Sequence, residues 1–204
     1  MKMDFLPWQR MRDLVLSEGS ILFFGEPMAR LSAYLMGQLS VRGKSITLVD
    51  ATQTFDPYLV ARVGRLSGIS SRPLLERIRL SRAFTCHQLV TVLCEILPNS
   101  GMSDPLFVLG PCALFYDEQV PLKERQALFL QVVRSLIIFK KRGQGCFLFQ
   151  SPISQKVKNR HFGRELSRSA QWVIRVGWGG EGLEGKLLSL PGEKFNHGPY
   201  GSTF

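Results

Sequence analysis

Ser20-Ile21-Leu22-Phe23-Phe24-Gly25-Glu26-Pro27-Met28-Ala29-Arg30-Leu31-Ser32 decides how this chain folds. The apolar run Ile21 to Phe24 is predicted as a short buried strand, Gly25-Glu26-Pro27 as a turn, and Met28 to Leu39 as a helix. A buried strand running into a helix is the unit with which many α/β proteins hold phosphate, using a Gly-rich loop, a Lys and a Ser or Thr. Between Gly25 and Ser32 the first Gly and the last hydroxyl of that pattern are present, while Arg30 and Leu31 stand where the second Gly and the Lys belong.

Outward from this unit, strands and helices alternate. Ala29, Leu31, Ala33, Tyr34, Leu35 and Leu39 give the first helix a broad apolar face. Ser45 to Val49, rich in β-branched and apolar residues, and the apolar runs Leu106 to Leu109 and Cys146 to Gln150 are predicted as further core strands, and Ile78 to Arg82 as another strand. Helices are expected over Tyr58 to Ser67, Thr85 to Leu97 (Leu89, Val92, Leu93 and Ile96 inward) and Lys123 to Lys141. This alternation implies right-handed βαβ units and a mostly parallel sheet. Gln171 to Val176 and Lys186 to Leu190 read as an antiparallel extension joined by a Gly-rich stretch. A short helix, Trp8 to Leu16, leads into the core, and Phe195 to Phe204 reads as a loose end.

The chain has 204 residues, enough for one substantial core. No apolar run reaches the ~18 residues of a membrane span and no signal-peptide pattern opens the chain, so the expected place is the cytoplasm. Cys86, Cys94, Cys112 and Cys146 are scattered, without a C-x-x-C pair or a zinc-ligand spacing, and are expected to be reduced, mostly buried thiols. The formal net charge of +10 is the outlier. It favours an anionic partner, nucleic acid ahead of membrane, over a basic surface with no specific ligand.

Three separated stretches carry a family likeness. Val49-Asp50-Ala51-Thr52-Gln53-Thr54-Phe55-Asp56-Pro57, Ile78-Arg79-Leu80-Ser81-Arg82-Ala83-Phe84-Thr85-Cys86-His87-Gln88, and Ala113-Leu114-Phe115-Tyr116 with Glu124-Arg125-Gln126 occur in this order. Together they resemble the ATPase core of the RecA/RadA recombinase superfamily, in particular its RadA-type branch: a Thr-Phe-x-Pro turn, an "ARAF…HQ" signature and an "ALFR…ERQ" stretch. The resemblance implies a three-layer RecA-like P-loop NTPase fold, with a mostly parallel central sheet and a C-terminal antiparallel extension. It spans residues 19–191, leaving 1–18 as a helical lead-in and 192–204 as a tail.

The same resemblance marks a degenerate nucleotide site at Gly25, Glu26, Arg30, Leu31, Ser32, Thr52, Gly110 and Gln150. The position of the phosphate-binding Lys is Leu31, that of the metal-side acid Gly110, and that of the water-activating Glu is Thr52; only Ser32 retains a Mg²⁺-binding hydroxyl. Phosphoryl transfer depends on positioning and electrostatic stabilisation, so these losses remove most of the mechanism. No catalytic residue, metal site or cofactor is therefore expected, with bound ATP and Mg²⁺ as the alternative. Elsewhere, Asp117-Glu118 and Glu124 read as solvated acids, His87 as a capping or packing residue, and the neighbours Cys86-His87 as unable to form a nucleophile-base pair.

The positive charge points to Ser151 to Arg164, which the resemblance places at the family's second DNA-binding loop. Lys156, Lys158, Arg160 and Arg164 suit phosphate contacts, and Phe162 suits stacking on a base. The resulting expectation is a non-catalytic RecA/RadA-like accessory protein whose partner is single-stranded DNA, a recombinase or another repair protein. An ATPase with an unusual site and a purely protein-interaction module are the alternatives.

Overall fold

The computed structural model describes residues 5–6, 19–117, 119–153, 161–179 and 182–189. Eight strands form one sheet: β1 (Phe5–Leu6), β2 (Ser20–Gly25), β3 (Ile46–Asp50), β4 (Ile78–Arg82), β5 (Leu106–Leu109), β6 (Cys146–Gln150), β7 (Trp172–Gly179) and β8 (Gly182–Ser189). Their order is β1-β8-β7-β2-β6-β5-β3-β4. Strands β2 to β7 pair in parallel, whereas β8 is antiparallel to β7 and to β1. The predicted strands at 78–82, 106–109 and 146–150 are found with those bounds; for the latter two, continuous apolar runs between turns leave little freedom of register.

The described helices are α1 (Met28–Val41), α2 (Pro57–Leu66), α3 (Ser71–Leu75), α4 (Cys86–Val90), α5 (Leu97–Asn99), α6 (Leu122–Lys141) and α7 (His161–Ser169). The chain steps across the sheet from β2 through β3 to β4, then back through β5 and β6 to β7. Right-handed crossovers must put the outward-step helices on one face and the return-step helices on the other. The core divides accordingly. Ile21, Phe23, Leu48, Phe107, Phe147 and Phe149 pack under α1 and α2. Leu22, Val49, Val108 and Leu148 pack under α4, α6 and α7. This period-2 alternation lets five short strands, β2, β3, β5, β6 and β7, serve two cores. Across the first face Phe23 stacks on Phe149 at 5.2 Å, and Phe149 on Phe107 at 5.4 Å.

Local chemistry fixes the helix starts. Asp56 Oδ1 accepts from Tyr58 N at 2.8 Å ahead of Pro57, a capped start with proline in the first turn. Thr85 Oγ1 accepts from Gln88 N at 3.2 Å, while Gln88 Oε1 accepts from Phe84 N at 2.8 Å, a reciprocal arrangement close to a capping box.

Three expectations are corrected. The helix predicted over Thr85 to Leu97 is interrupted by a π-helical segment, Thr91–Ile96. Its wider turn rotates the following residues, so Ile96 is 54 % exposed and Leu97 is buried instead. Ser135 Oγ donates to Leu93 O at 2.5 Å, using a carbonyl of that segment. Second, His161 to Ser169, half of which falls in the stretch read as a loop, is helix α7. Third, Phe5–Leu6 is an edge strand paired with Gly185 and Lys186. The predicted helix Trp8 to Leu16 and the tail 192–204 lie outside the described residues.

Candidate functional site

Parallel sheets bind ligands outside the carboxyl ends of strands, where neighbouring strands send their chains to opposite faces. Here β2 leads to α1 on one face and its neighbour β6 leads to α7 on the other. The same holds for neighbouring β3 and β5. All eight residues expected to form a degenerate nucleotide site lie along this edge, at the end of β2 and in the turn and helix that follow it, after β3 and β5, and at the end of β6.

The β2–α1 turn is short. Gly25 has φ +129°, and a Cβ there would lie 2.0 Å from Val176 O, so no other residue fits. Glu26 N donates to Val176 O at 3.3 Å, and the Glu26-Pro27 peptide is cis. Helix α1 begins immediately, at Met28, so Ala29 and Arg30 are helical rather than wrapped around an anion. Leu31 is 1 % exposed within the core under α1. Ser32 is fully buried and its hydroxyl donates to Ala29 O at 3.0 Å, within its own helix. Arg30 and Glu26 are exposed.

Thr52 and Gly110 meet. Gly110 has φ +66°, and a Cβ there would lie 2.1 Å from Thr52 Cγ2. Thr52 thus occupies the space that a metal-side acid at 110 would need. Behind them Asp50, fully buried at the end of β3, organises the loop. Its Oδ1 accepts from Thr52 N (3.0 Å), Thr52 Oγ1 (3.1 Å) and Thr54 N (3.4 Å), and its Oδ2 from Phe55 N (3.0 Å). Gln53, at φ +60°, donates from Nε2 to Ala83 O at 2.9 Å and ties this loop to the end of β4. Gln150 accepts from Cys112 N at 3.0 Å and donates to Ser151 O at 2.9 Å. The side chains of Asp50, Thr52, Gln53 and Gln150 are spent on one another and on nearby backbone.

No family model matches the chain, and no curated protein is similar enough in sequence to count as a relative. The site is therefore read from its geometry.

Of the DNA-binding set, Lys156, Lys158 and Arg160 lie outside the described residues, and Arg164 is exposed on α7. Phe162 is corrected: it is 1 % exposed, with its ring centroid 4.9 Å from that of Phe129 and 5.8 Å from that of Phe115. The helical start at His161 turns this ring into the core, where no base can stack on it.

The reading of Cys86 and His87 is corrected too. Sγ of Cys86 lies 3.7 Å from His87 Nδ1, and His87 Nε2 lies 2.9 Å from Glu124 Oε1. Cys86 is nonetheless only 2 % exposed, and burial raises its thiol pKa, so the contact does not supply a nucleophile. All four cysteines are free. Burial pushes Cys146 up to about 12 and raises Cys94 and Cys112 as well. Among the described residues no group of three or more His, Cys, Asp or Glu could hold a metal ion, and no helix is long and apolar enough to cross a membrane.

Sequence reasoning missed an open groove of about 460 Å³ beside the β2–α1 turn, lined by Glu26, Pro152, Arg175, Trp178, Glu184 and Lys186 among others. Trp178 is 63 % exposed. The available signal was a large aromatic between two glycines, Gly177 and Gly179, in a stretch read only as a connector.

Proposed function

We propose that this chain is a non-catalytic RecA/RadA-like protein that acts as an accessory in DNA recombination or repair, binding single-stranded DNA or a recombinase without turning over ATP. The packing of Thr52 against Gly110 carries the non-catalytic part: the two positions where hydrolysis would need acids fill each other's space. Leu31 in the core and the inward-bonded Ser32 agree with it. For the RecA-like fold, the support is a mostly parallel sheet with an antiparallel β7–β8 hairpin, together with the three ordered motifs.

For DNA, the support is the groove. Trp178 offers an exposed aromatic face next to Pro152, at the start of the basic stretch Ser151 to Arg164. A stacking platform beside a run of cations is how single strands are held without sequence preference.

The test is ATP hydrolysis with Mg²⁺ and fluorescence anisotropy of a labelled single strand on the same preparation. No turnover is expected, together with salt-sensitive binding that weakens roughly tenfold in Trp178→Ala. Changing Lys156, Lys158, Arg160 and Arg164 together to Ala is expected to flatten the salt dependence by roughly 0.7 of log-log slope per lost contact. Turnover abolished by Ser32→Ala would overturn the non-catalytic reading. Unchanged DNA affinity in both binding variants would overturn the DNA reading and leave a protein partner.

A further inference from the structure

The amino-terminal edge of the sheet, opposite the candidate site, carries a second concentration of charge. Each crossover helix runs from the carboxyl edge back to this one, so the ends of α1, α2 and α6 converge here. They deliver Arg42 and Lys44, Arg65, and Lys140, Lys141 and Arg142. All are exposed except Lys140, which is half-buried. The turns holding Arg42-Gly43-Lys44 and Arg142-Gly143 are built alike. Gly43 and Gly143 have φ +80° and +75°, and Lys44 N and Gln144 N donate back to Leu39 O and Phe139 O, both at 3.1 Å. These turns lead into β3 and β6, which are two strand spacings apart with β5 between, or about 10 Å.

The cations are not consumed by acids. Near this edge Asp104 is held by Arg79, and Glu76 by Arg72. Glu95, on the π-helical segment, is in none of the ion pairs among the described residues. Arg142 donates to Pro98 O at 3.3 Å and Arg77 to Gly43 O at 2.9 Å, so these two are anchored to backbone. Arg42, Lys44, Arg65, Lys140 and Lys141 have no side-chain partner among the described residues. Cations in last turns do complement helix dipoles. That role explains Arg65, Lys140 and Lys141 one helix at a time, but not the gathering of three helix ends on one edge.

The exposed aromatics are distributed the other way. Tyr58 at the start of α2, Phe84 after β4 and Trp178 near the end of β7 all sit toward the carboxyl edge. The amino edge offers cations spread over both helical layers and, among the described residues, no exposed ring for stacking. Such a surface suits a partner that shows only phosphates, since single strands are gripped through their bases as well. We propose that the amino-terminal edge is a binding face for the backbone of duplex nucleic acid, separate from the carboxyl edge and independent of whether the stretch Ser151 to Arg164 touches DNA.

The test is anisotropy of a labelled short blunt duplex, titrated between about 50 and 200 mM salt, with wild type and a variant carrying Lys44→Gln, Arg65→Gln, Lys140→Gln and Lys141→Gln. Wild type is expected to bind. The variant is expected to lose at least tenfold in affinity and about 0.9 of log-log slope per contact removed, while keeping single-strand binding. Should the fourfold variant fail to unfold cooperatively, the pairs Lys44→Gln/Arg65→Gln and Lys140→Gln/Lys141→Gln are each expected to lose part of the slope. No duplex binding by wild type, or unchanged affinity and slope in the folded variants, overturns the proposal. So does tighter binding to phosphatidylserine vesicles than to duplex through the same residues, which with the exposed Leu66 beside Arg65 would make this a membrane-facing end. The segment variant of the preceding subsection, run on the same duplex, separates the two ideas: it is expected to leave duplex affinity intact.

Discussion

The two edges of the sheet treat their polar groups in opposite ways. At the carboxyl edge Asp50, Thr52, Gln53 and Gln150 bond to one another and to nearby backbone. At the amino edge Arg42, Lys44, Arg65, Lys140 and Lys141 face solvent without side-chain partners among the described residues. An edge whose donors and acceptors are mutually satisfied contributes stability and has little left to offer a ligand. An edge of unpaired like charges contributes little stability and attracts whatever is anionic. In this protein the part of the carboxyl edge around β3, β5 and β6 is structural, the groove at Trp178 lies beside it at β7, and the amino edge presents the unpaired charge.

Variants that break this contrast should do so in a definite order. Asp50→Ala is expected to cost the most, about 3 kcal/mol in urea unfolding, because it strips the acceptor from a set of loop donors, three of them backbone N–H groups. Next comes Gly110→Ala, at about 2 kcal/mol, from a positive φ combined with the clash against Thr52 Cγ2. Only the clash should be relieved by Thr52→Ala, so a double-mutant cycle is expected to show coupling of about 1 kcal/mol between these positions. An additive cycle would mean that Thr52 does not occupy the site of the missing side chain. At the other edge, Lys140→Gln with Lys141→Gln should lower stability by less than about 1 kcal/mol, the value of favourable charge at a helix C-terminus. A larger loss would show that this edge is structural too.

How far these features could be read from the chain depends on how local their causes are. Strands β5 and β6 were legible because short apolar runs between turn residues have few alternatives. The buried face of α4 and α5 was misread at Ile96 because a π-turn has no strong sequence signature. Phe162 was misassigned for a related reason: a basic stretch reads as solvated whichever way one ring points, and only docking of α7 against α6 turns that ring inward. Trp178 was passed over because glycines on both sides argue for a loop, whereas β7 and β8 run through them as a hairpin.

By itself the sequence determined the alternating elements, the apolar strands and the lack of a Lys between Gly25 and Ser32, since each follows from residue type and spacing along a short stretch. Only the tertiary structure decided how the loops at this edge fit together. Thr52 and Gly110 belong to loops after different strands, and their interlocking exists only because β3 and β5 are neighbours in the sheet. The basic amino edge has the same origin. Its cations lie far apart in the chain and become one surface because parallel crossovers return helix ends to the same side.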